Sequence, residues 1–261
     1  MTVKYSILDP TGNITALVAD EVEIGSQPYV ASLIMKNEPA VEQVGFLDVK
    51  NRRMRMAGGE FCGNASMCAA VMCLEDGLQN GESSDILLDV SGAPEKVSVH
   101  IEKKADNSFY CGVDMPKAES VAVQTLTCGG TQYRLPAVKF AGISHIINEC
   151  PAKSEQFAGE IKSWCRALGC DSLGIMNIDR PNGKIVPLVY VPASGTLFWE
   201  NSCASGTAAA GVYYADKGKC PFEADFAEPG GTLGVKAEPD GSVAIKGTVR
   251  IVSLEKVINL N

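Results

Sequence analysis

Two stretches of this chain carry one pattern. MAGGEFCGNASMCAAVMC (Met56–Cys73) and FWENSCASGTAAAGVYYA (Phe198–Ala215) match when Cys62 is set on Cys203. A Glu lies just upstream of each cysteine (Glu60, Glu200), and a tiny residue follows it (Gly63, Ala204). A hydroxyl then sits four on (Ser66, Thr207), an Ala seven on (Ala69, Ala210) and a Val nine on (Val71, Val212). Both stretches read as a turn, a cysteine and a helix. The first N–H groups of a helix have no carbonyl within it to donate to. They and the helix dipole favour negative charge by about 0.3–1 kcal/mol at an exposed end, so a cysteine placed there should ionise more readily. One such cysteine is weak evidence. Two in matching contexts predict a single site built by two halves of the chain.

The rest of the chain repeats in the same order. EQVGFLDV (Glu42–Val49) is echoed by DSLGIMNI (Asp171–Ile178). Gly45 and Gly174 are 129 positions apart, and Cys62 and Cys203 are 141 apart. The difference of 12 predicts a longer connection in the second half, within DRPNGKIVPLVYVPASGTLF. Residues 3–19 read as strand, D-P-T-G-N turn, strand. Ser26 is expected to cap a helix that has Pro28 in its first turn and runs to Lys36. Strands are expected over Val41–Val49, Arg53–Met56, Ile86–Val90, Lys96–Glu102 and Ser108–Val113, then over Tyr133–Phe140 and Ser144–Ile147. A single helix is expected over Ser154–Leu168, with Phe157, Ile161, Trp164 and Leu168 on one stripe. After the Cys203 helix comes a strand–turn–strand following Gly230-Gly231, where the first half has Ser91-Gly92. The expected organisation is two copies of one α/β unit, 1–117 with Cys62 and 118–261 with Cys203, with the last strand free to return to the first half.

Composition excludes several functions. The 46% hydrophobic and 21% charged fractions are those of an ordinary globular protein. Net charge is −8 with no Lys/Arg cluster, which argues against nucleic acid as a partner. No apolar run reaches 18 residues, and the N-terminus lacks a charged-then-apolar signal, so no membrane partner and a cytoplasmic location are expected. Ten cysteines without a C-x-x-C pair, beside two histidines (His100, His145), fit neither structural zinc nor a disulfide scaffold. Most of them read as small core residues.

Two thiols on opposite faces of one carbon suit a specific reaction. The α-proton of an amino acid is weakly acidic. A thiolate on one face removes it, a thiol on the other returns a proton, and the roles exchange in reverse. A hydrolase-type cysteine would want a His base beside it. His145 has no such context and reads as structural or as pocket wall. N–H groups at Gly63-Asn64 and Ala204-Ser205 would clamp the α-carboxylate and stabilise the charge that develops there. Gly12-Asn13 is a turn with a possible pocket role, and Glu42 and Glu200 are candidate pocket acids. No nicotinamide fingerprint, pyridoxal-lysine context or P-loop is present, so no cofactor and no metal are expected.

At E-F-C-G-N-A-S-M and E-N-S-C-A-S-G-T the chain resembles the diaminopimelate epimerase superfamily of cofactor-independent racemases, and T-G-N-I-T-A-L-V (Thr11–Val18) is similar to that group's N-terminal Gly-Asn motif. The likeness spans almost the whole chain. It implies an α+β fold of two pseudo-symmetric halves, each a barrel-like, mostly antiparallel sheet around a central helix, with the site between them. By matched position it implies Cys62 and Cys203 as the two bases, with Asn13, Gly63, Asn64, Ser205 and Gly206 on a small amino-acid substrate; a homodimer is compatible. Diaminopimelate epimerases carry a Glu-Arg pair shortly before the second cysteine. Here Val191–Trp199 holds no charge, so no arginine fork awaits a second carboxylate. E-Q-V-G-F, G-G-E-F-C-G-N-A, W-E-N-S-C-A-S-G-T and P-G-G (Pro229–Gly231) are most similar to the histidine racemases that feed nicotianamine-like metallophore synthesis. Glu42, Phe198 and Trp199 are then candidate partners for an imidazole. Other amino-acid epimerases, and a proton-shifting isomerase of unsaturated acids, are the alternatives.

Overall fold

The computed structural model describes residues 2–74, 77–192 and 195–260. The chain divides into two compact units, Met1–Asp114 with Lys246–Asn261, and Met115–Ile245.

The first unit opens with β1 (Thr2–Pro10), β2 (Thr15–Val18), α1 (Gln27–Asn37), β3 (Gln43–Asp48) and β4 (Arg53–Met56). Then come α2 (Gly63–Met72), β5 (Ser83–Val90), β6 (Val97–Lys103) and β7 (Phe109–Met115). The second unit has β8 (Ser120–Cys128), β9 (Thr131–Phe140), β10 (Ile143–Asn148), α3 (Ser154–Ala158), α4 (Ile161–Leu168) and β11 (Leu173–Asp179). It continues with β12 (Lys184–Val191), β13 (Thr196–Trp199), α5 (Ala204–Gly218), β14 (Phe222–Glu228) and β15 (Gly231–Ala237). The last strand, β16 (Val243–Asn259), starts in the second unit and continues into the first.

In the first unit the strand order is β1-β2-β3-β4-β5-β6-β7-β16, and β1 pairs with β16 again, which closes an eight-stranded barrel. The second unit runs β8-β9-β10-β11-β12-β14-β15-β16, with β13 paired to β12. Each sheet is mixed at equivalent places. β2–β3 and β4–β5 are parallel in the first unit, as β10–β11 and β12–β14 are in the second. The fold is α+β, with few helices.

Each cysteine helix lies against its own sheet: α2 packs on β1, β2, β4, β5 and β6, and α5 on β8, β9, β10, β11, β14 and β15. A helix surrounded by sheet has no polar face to show. Gly63 through Val71 are all buried, and α5 is lined with buried Ala208, Ala209, Ala210 and Gly211. The small residues let the strands come close. A Cβ on Gly211 would collide with the Val235 side chain.

Several details differ from the sequence patterning. Ser26 makes no side-chain cap bond. A 3-10 turn over Ile24–Ser26 leads straight into α1, so Ser26 is already helical in φ and ψ. The helix expected over Ser154–Leu168 is two, broken at Gly159-Glu160, where glycine weakens a helix by about 1 kcal/mol relative to alanine. The apolar stripe survives the break: Phe157, Ile161 and Trp164 are buried, and Trp164 Nε1 donates to Thr127 O at 2.8 Å. The patterning left β8 unassigned, and Val123 in it stands 55% exposed. The longer connection of the second half contains β13, which has no counterpart in the first. Ala193 and Ser194, in the uncharged stretch before Cys203, lie outside the described residues. Among the described residues, no helix is long and apolar enough to cross a membrane.

Candidate active site

Cys62 is the N-cap of α2, with φ −136° and ψ 114°. Cys203 is the N-cap of α5, with φ −135° and ψ 98°. This extended backbone just before a helix is the N-cap conformation. Both cysteines are braced the same way. In the first unit, the Ser91 hydroxyl donates to Glu60 O at 2.8 Å, and a Cβ on Gly92 would collide with the backbone of Glu60 and Phe61. In the second, Gly230 N–H donates to Asn201 O at 2.7 Å. The turn after β5, or after β14, thus supports the residues that lead into each cysteine.

In the first unit, Cys62 Sγ accepts from Ala65 N–H at 3.4 Å and donates to Gln43 Oε1 at 3.1 Å. Gln43 Nε2 donates to Thr15 Oγ1 at 2.7 Å, and Thr15 Oγ1 donates to Asn13 O at 3.0 Å. Asn13 Nδ2 donates to Glu42 Oε2 at 2.7 Å. Asn13, Glu42 and Cys62 therefore lie along one network, and Gly63 and Asn64 follow Cys62 in the first turn of α2. The parallel register of β2 and β3 sets it up, because Thr15 pairs with Gln43. Cys62 is half-buried. Cys68 and Cys111 are buried, and desolvation raises both thiols, Cys111 to about 12.

In the second unit, Cys203 is buried and its surroundings are ionisable. Its N–H donates to Glu228 Oε2 at 2.7 Å, and the Thr207 hydroxyl bonds Glu228 Oε1. Cys203 Sγ lies 3.7 Å from Ser205 Oγ, which is 3.0 Å from His145 Nε2. Glu200 stands beside the thiol as well. Burial first, then the charges of Glu200 and Glu228, hold the Cys203 thiol well above its ordinary value. This reverses the expectation that the helix start would make Cys203 more acidic: desolvation and two carboxyls outweigh an end effect of about 1 kcal/mol or less. Burial also keeps His145 neutral, lowering it to about 3, and among the described residues its Nδ1 has no hydrogen-bond partner. Ala204, Ser205 and Gly206 form the first turn of α5. A Cβ on Gly206 would collide with Met176 Sδ and lie 3.2 Å from Cys203 Sγ, so glycine leaves room for both sulfurs.

The sequence patterning passed over Gln43, read His145 only as structural or as pocket wall, and passed over Glu228. The internal repeat holds a signal for the last two. Leu17 pairs with Gly45 across β2–β3, and His145 pairs with Gly174 across β10–β11. At both glycines an added Cβ would press on the partner side chain, Leu17 Cδ2 at 3.0 Å or His145 Nδ1 closer still. His145 thus occupies the place of Leu17. In the structure Asp89 N–H donates to Arg52 O as Ala227 N–H does to Gly183 O, which matches Ser91-Gly92 with Pro229-Gly230, one residue from the Gly230-Gly231 expected, and puts Glu228 in the place of Val90. Both exchanges of an apolar for an ionisable side chain surround Cys203, and neither surrounds Cys62.

Comparison with known proteins shows the family and the fold. Residues 2–257 match the protein family described as the histidine racemase CntK N-terminal domain. A histidine racemase of Fusobacterium nucleatum is 34% identical over 270 residues, covering 98% of this chain and 99% of that protein. Among solved structures, a PhzF-family phenazine biosynthesis protein of Bacillus anthracis superposes with TM-score 0.70 at 12% identity, covering all of both chains. A probable proline racemase of Agrobacterium radiobacter superposes with TM-score 0.67 at 12% identity, covering 99% of this chain and 93% of that one. At such identities the likeness is one of fold, and the fold is that of the wider PhzF and proline racemase group rather than of diaminopimelate epimerases specifically.

Proposed function

The chain belongs to the histidine racemase family, and from that premise we propose that it interconverts L- and D-histidine without a cofactor, using Cys62 and Cys203 as its two acid–base groups. The observation that carries this reading is the pair of cysteines in one N-cap geometry, one per repeat. The substrate carboxylate takes hydrogen bonds from the first turns at Gly63-Asn64 and Ala204-Ser205. Fixed donors there strengthen as charge moves from the α-carbon to the carboxylate, so they favour the carbanionic state over the ground state. Cys203, held as a neutral thiol, delivers a proton to one face while Cys62 removes one from the other. The opposite direction exchanges the roles. Asn13 and Glu42, joined to each other, are the candidate contacts for the ammonium or the imidazole, and Glu200 is a further candidate. The uncharged Val191–Trp199 stretch suits a side chain without a second carboxylate. A reducing compartment such as the cytoplasm fits ten cysteines that are all free thiols.

The test is solvent isotope exchange. Incubated in deuterium oxide with L- and then D-histidine, the enzyme should place deuterium at the α-carbon in both directions. Cys62→Ser and Cys203→Ser should each lower racemisation by at least about a hundredfold, the ordinary range for an acid–base group. Exchange with neither enantiomer, or full activity in either variant, overturns the reading. Turnover of an itaconate-like acid in place of histidine would select the proton-shifting isomerase instead.

A further inference from the structure

We propose that Glu228 is a positioning residue whose own proton decides when Cys203 can ionise, so that the two acids at the start of α5 lose their protons in competition. This rests on the reading of Cys203 as an acid–base group. Glu228 closes β14 and is 7% exposed. One carboxyl oxygen accepts from the N–H of Cys203 itself, and the other is bonded to Thr207, four residues along the helix. In the first repeat the matching hydroxyl, Ser66, donates instead to Cys62 O at 2.8 Å, and the matching strand end is Val90. The carboxyl is therefore a feature of one cysteine and not of the other.

A negative charge on Glu228 would sit in the field of the α5 N-terminus, the same field that would stabilise a thiolate on Cys203. Two anions at that point repel in a buried setting where little water screens them. Burial pushes the Glu228 carboxyl up to about 8, against which its bonds to Thr207 and Cys203 pull down. It is thus largely neutral at pH 7. The groups that face it are Glu200 on the segment before α5, and Cys203 and Thr207 on α5. His145 on β10 faces Cys203 through Ser205 and stays neutral. While Glu228 keeps its proton, Cys203 can give its own to the substrate carbanion and carry the resulting thiolate. Once Glu228 has lost its proton, that thiolate faces a second charge.

The test reads Cys203 directly. Iodoacetamide labelling from pH 6 to 10, followed by peptide mass spectrometry, gives the pH profile of each cysteine. In Glu228→Gln, which keeps the shape and removes the charge, the Cys203 profile should shift down by about a pH unit on its alkaline side, about a twofold faster reaction at pH 8, where half of wild-type Glu228 is ionised, rising to about tenfold by pH 10. The Cys62 profile should not move. Thr207→Val, nearly isosteric, removes one bond to the carboxylate; it should shift Cys203 in the same direction by less, and it serves if Glu228→Gln does not fold. Wild-type racemisation should fall above about pH 8, as Glu228 ionises, and that fall should be absent in Glu228→Gln. An unmoved Cys203 profile in either folded variant overturns the proposal. The labelling does not depend on histidine turnover, so absent racemisation with a shifted profile would instead count against the proposed function.

Discussion

Replacing His145 by leucine isolates the contribution of a buried imidazole. The repeat supplies the precedent, because Leu17 stands over Gly45 as His145 stands over Gly174. At pH 7.5 the change loses the Ser205 bond, about 1 kcal/mol, and removes a buried unpartnered Nδ1 that costs about 1–3 kcal/mol. The two nearly offset, so variant and wild type should differ little. At lower pH they part. The unfolded imidazole gains a proton below 6.5, whereas burial holds the folded one neutral down to about 3. The unfolded state binds more protons across that window, so wild-type stability falls as pH drops through it. By pH 4.5 the loss amounts to about 3 kcal/mol, at about 1.36 kcal/mol per pH unit. Urea unfolding of both proteins at pH 7.5 and pH 4.5 measures it. His145→Leu should gain about 3 kcal/mol on wild type between the two conditions, and other titrating groups cancel in the difference. An equal difference at both pH values would refute the argument that burial keeps His145 neutral.

Two other expectations concern the same surroundings. Glu228 runs opposite to His145: its folded value near 8 lies above the ordinary 4.5, so stability is full below 4.5 and is lost as pH rises toward 8. Glu228→Gln should therefore gain on wild type by about 3–4 kcal/mol between pH 5 and pH 8 in urea titrations; a flat difference would show the carboxyl ionising normally. Gly206→Ala should cut racemisation at least about tenfold and destabilise the fold by about 1–3 kcal/mol, because buried Met176 must move away from Cys203; wild-type rates in this variant would show that the space is spare.

What could be read from the amino acids alone was local or repeated. That both cysteines open helices followed from Gly-Asn and Ala-Ser beside them and from small residues behind them. The paired strands followed from apolar runs, and Arg53–Met56 holds to the residue. Features that depend on distant partners were not legible. Ser26 resembles a cap until the preceding turn makes it helical, and Gly159 breaks a helix whose apolar stripe runs on regardless. Glu228 lies 25 residues from the cysteine whose N–H it binds. Gln43 lies 19 residues before Cys62 and meets it only in the fold, where β3 pairs with β2. The raised Cys203 thiol was illegible for a similar reason, since desolvation is a property of packing and not of neighbours in the chain.

The closing strand of the first barrel has a consequence for synthesis. The partners of β1 and β7 come from β16, at the far end of the chain. Seven strands and the helix behind Cys62 are made first, yet their ring stays open while all of the second unit is translated. The part begun earliest is completed last. A nascent chain stalled anywhere before Lys246 exposes two unpaired strand edges, and a gene split between the units would yield a first fragment without its seal.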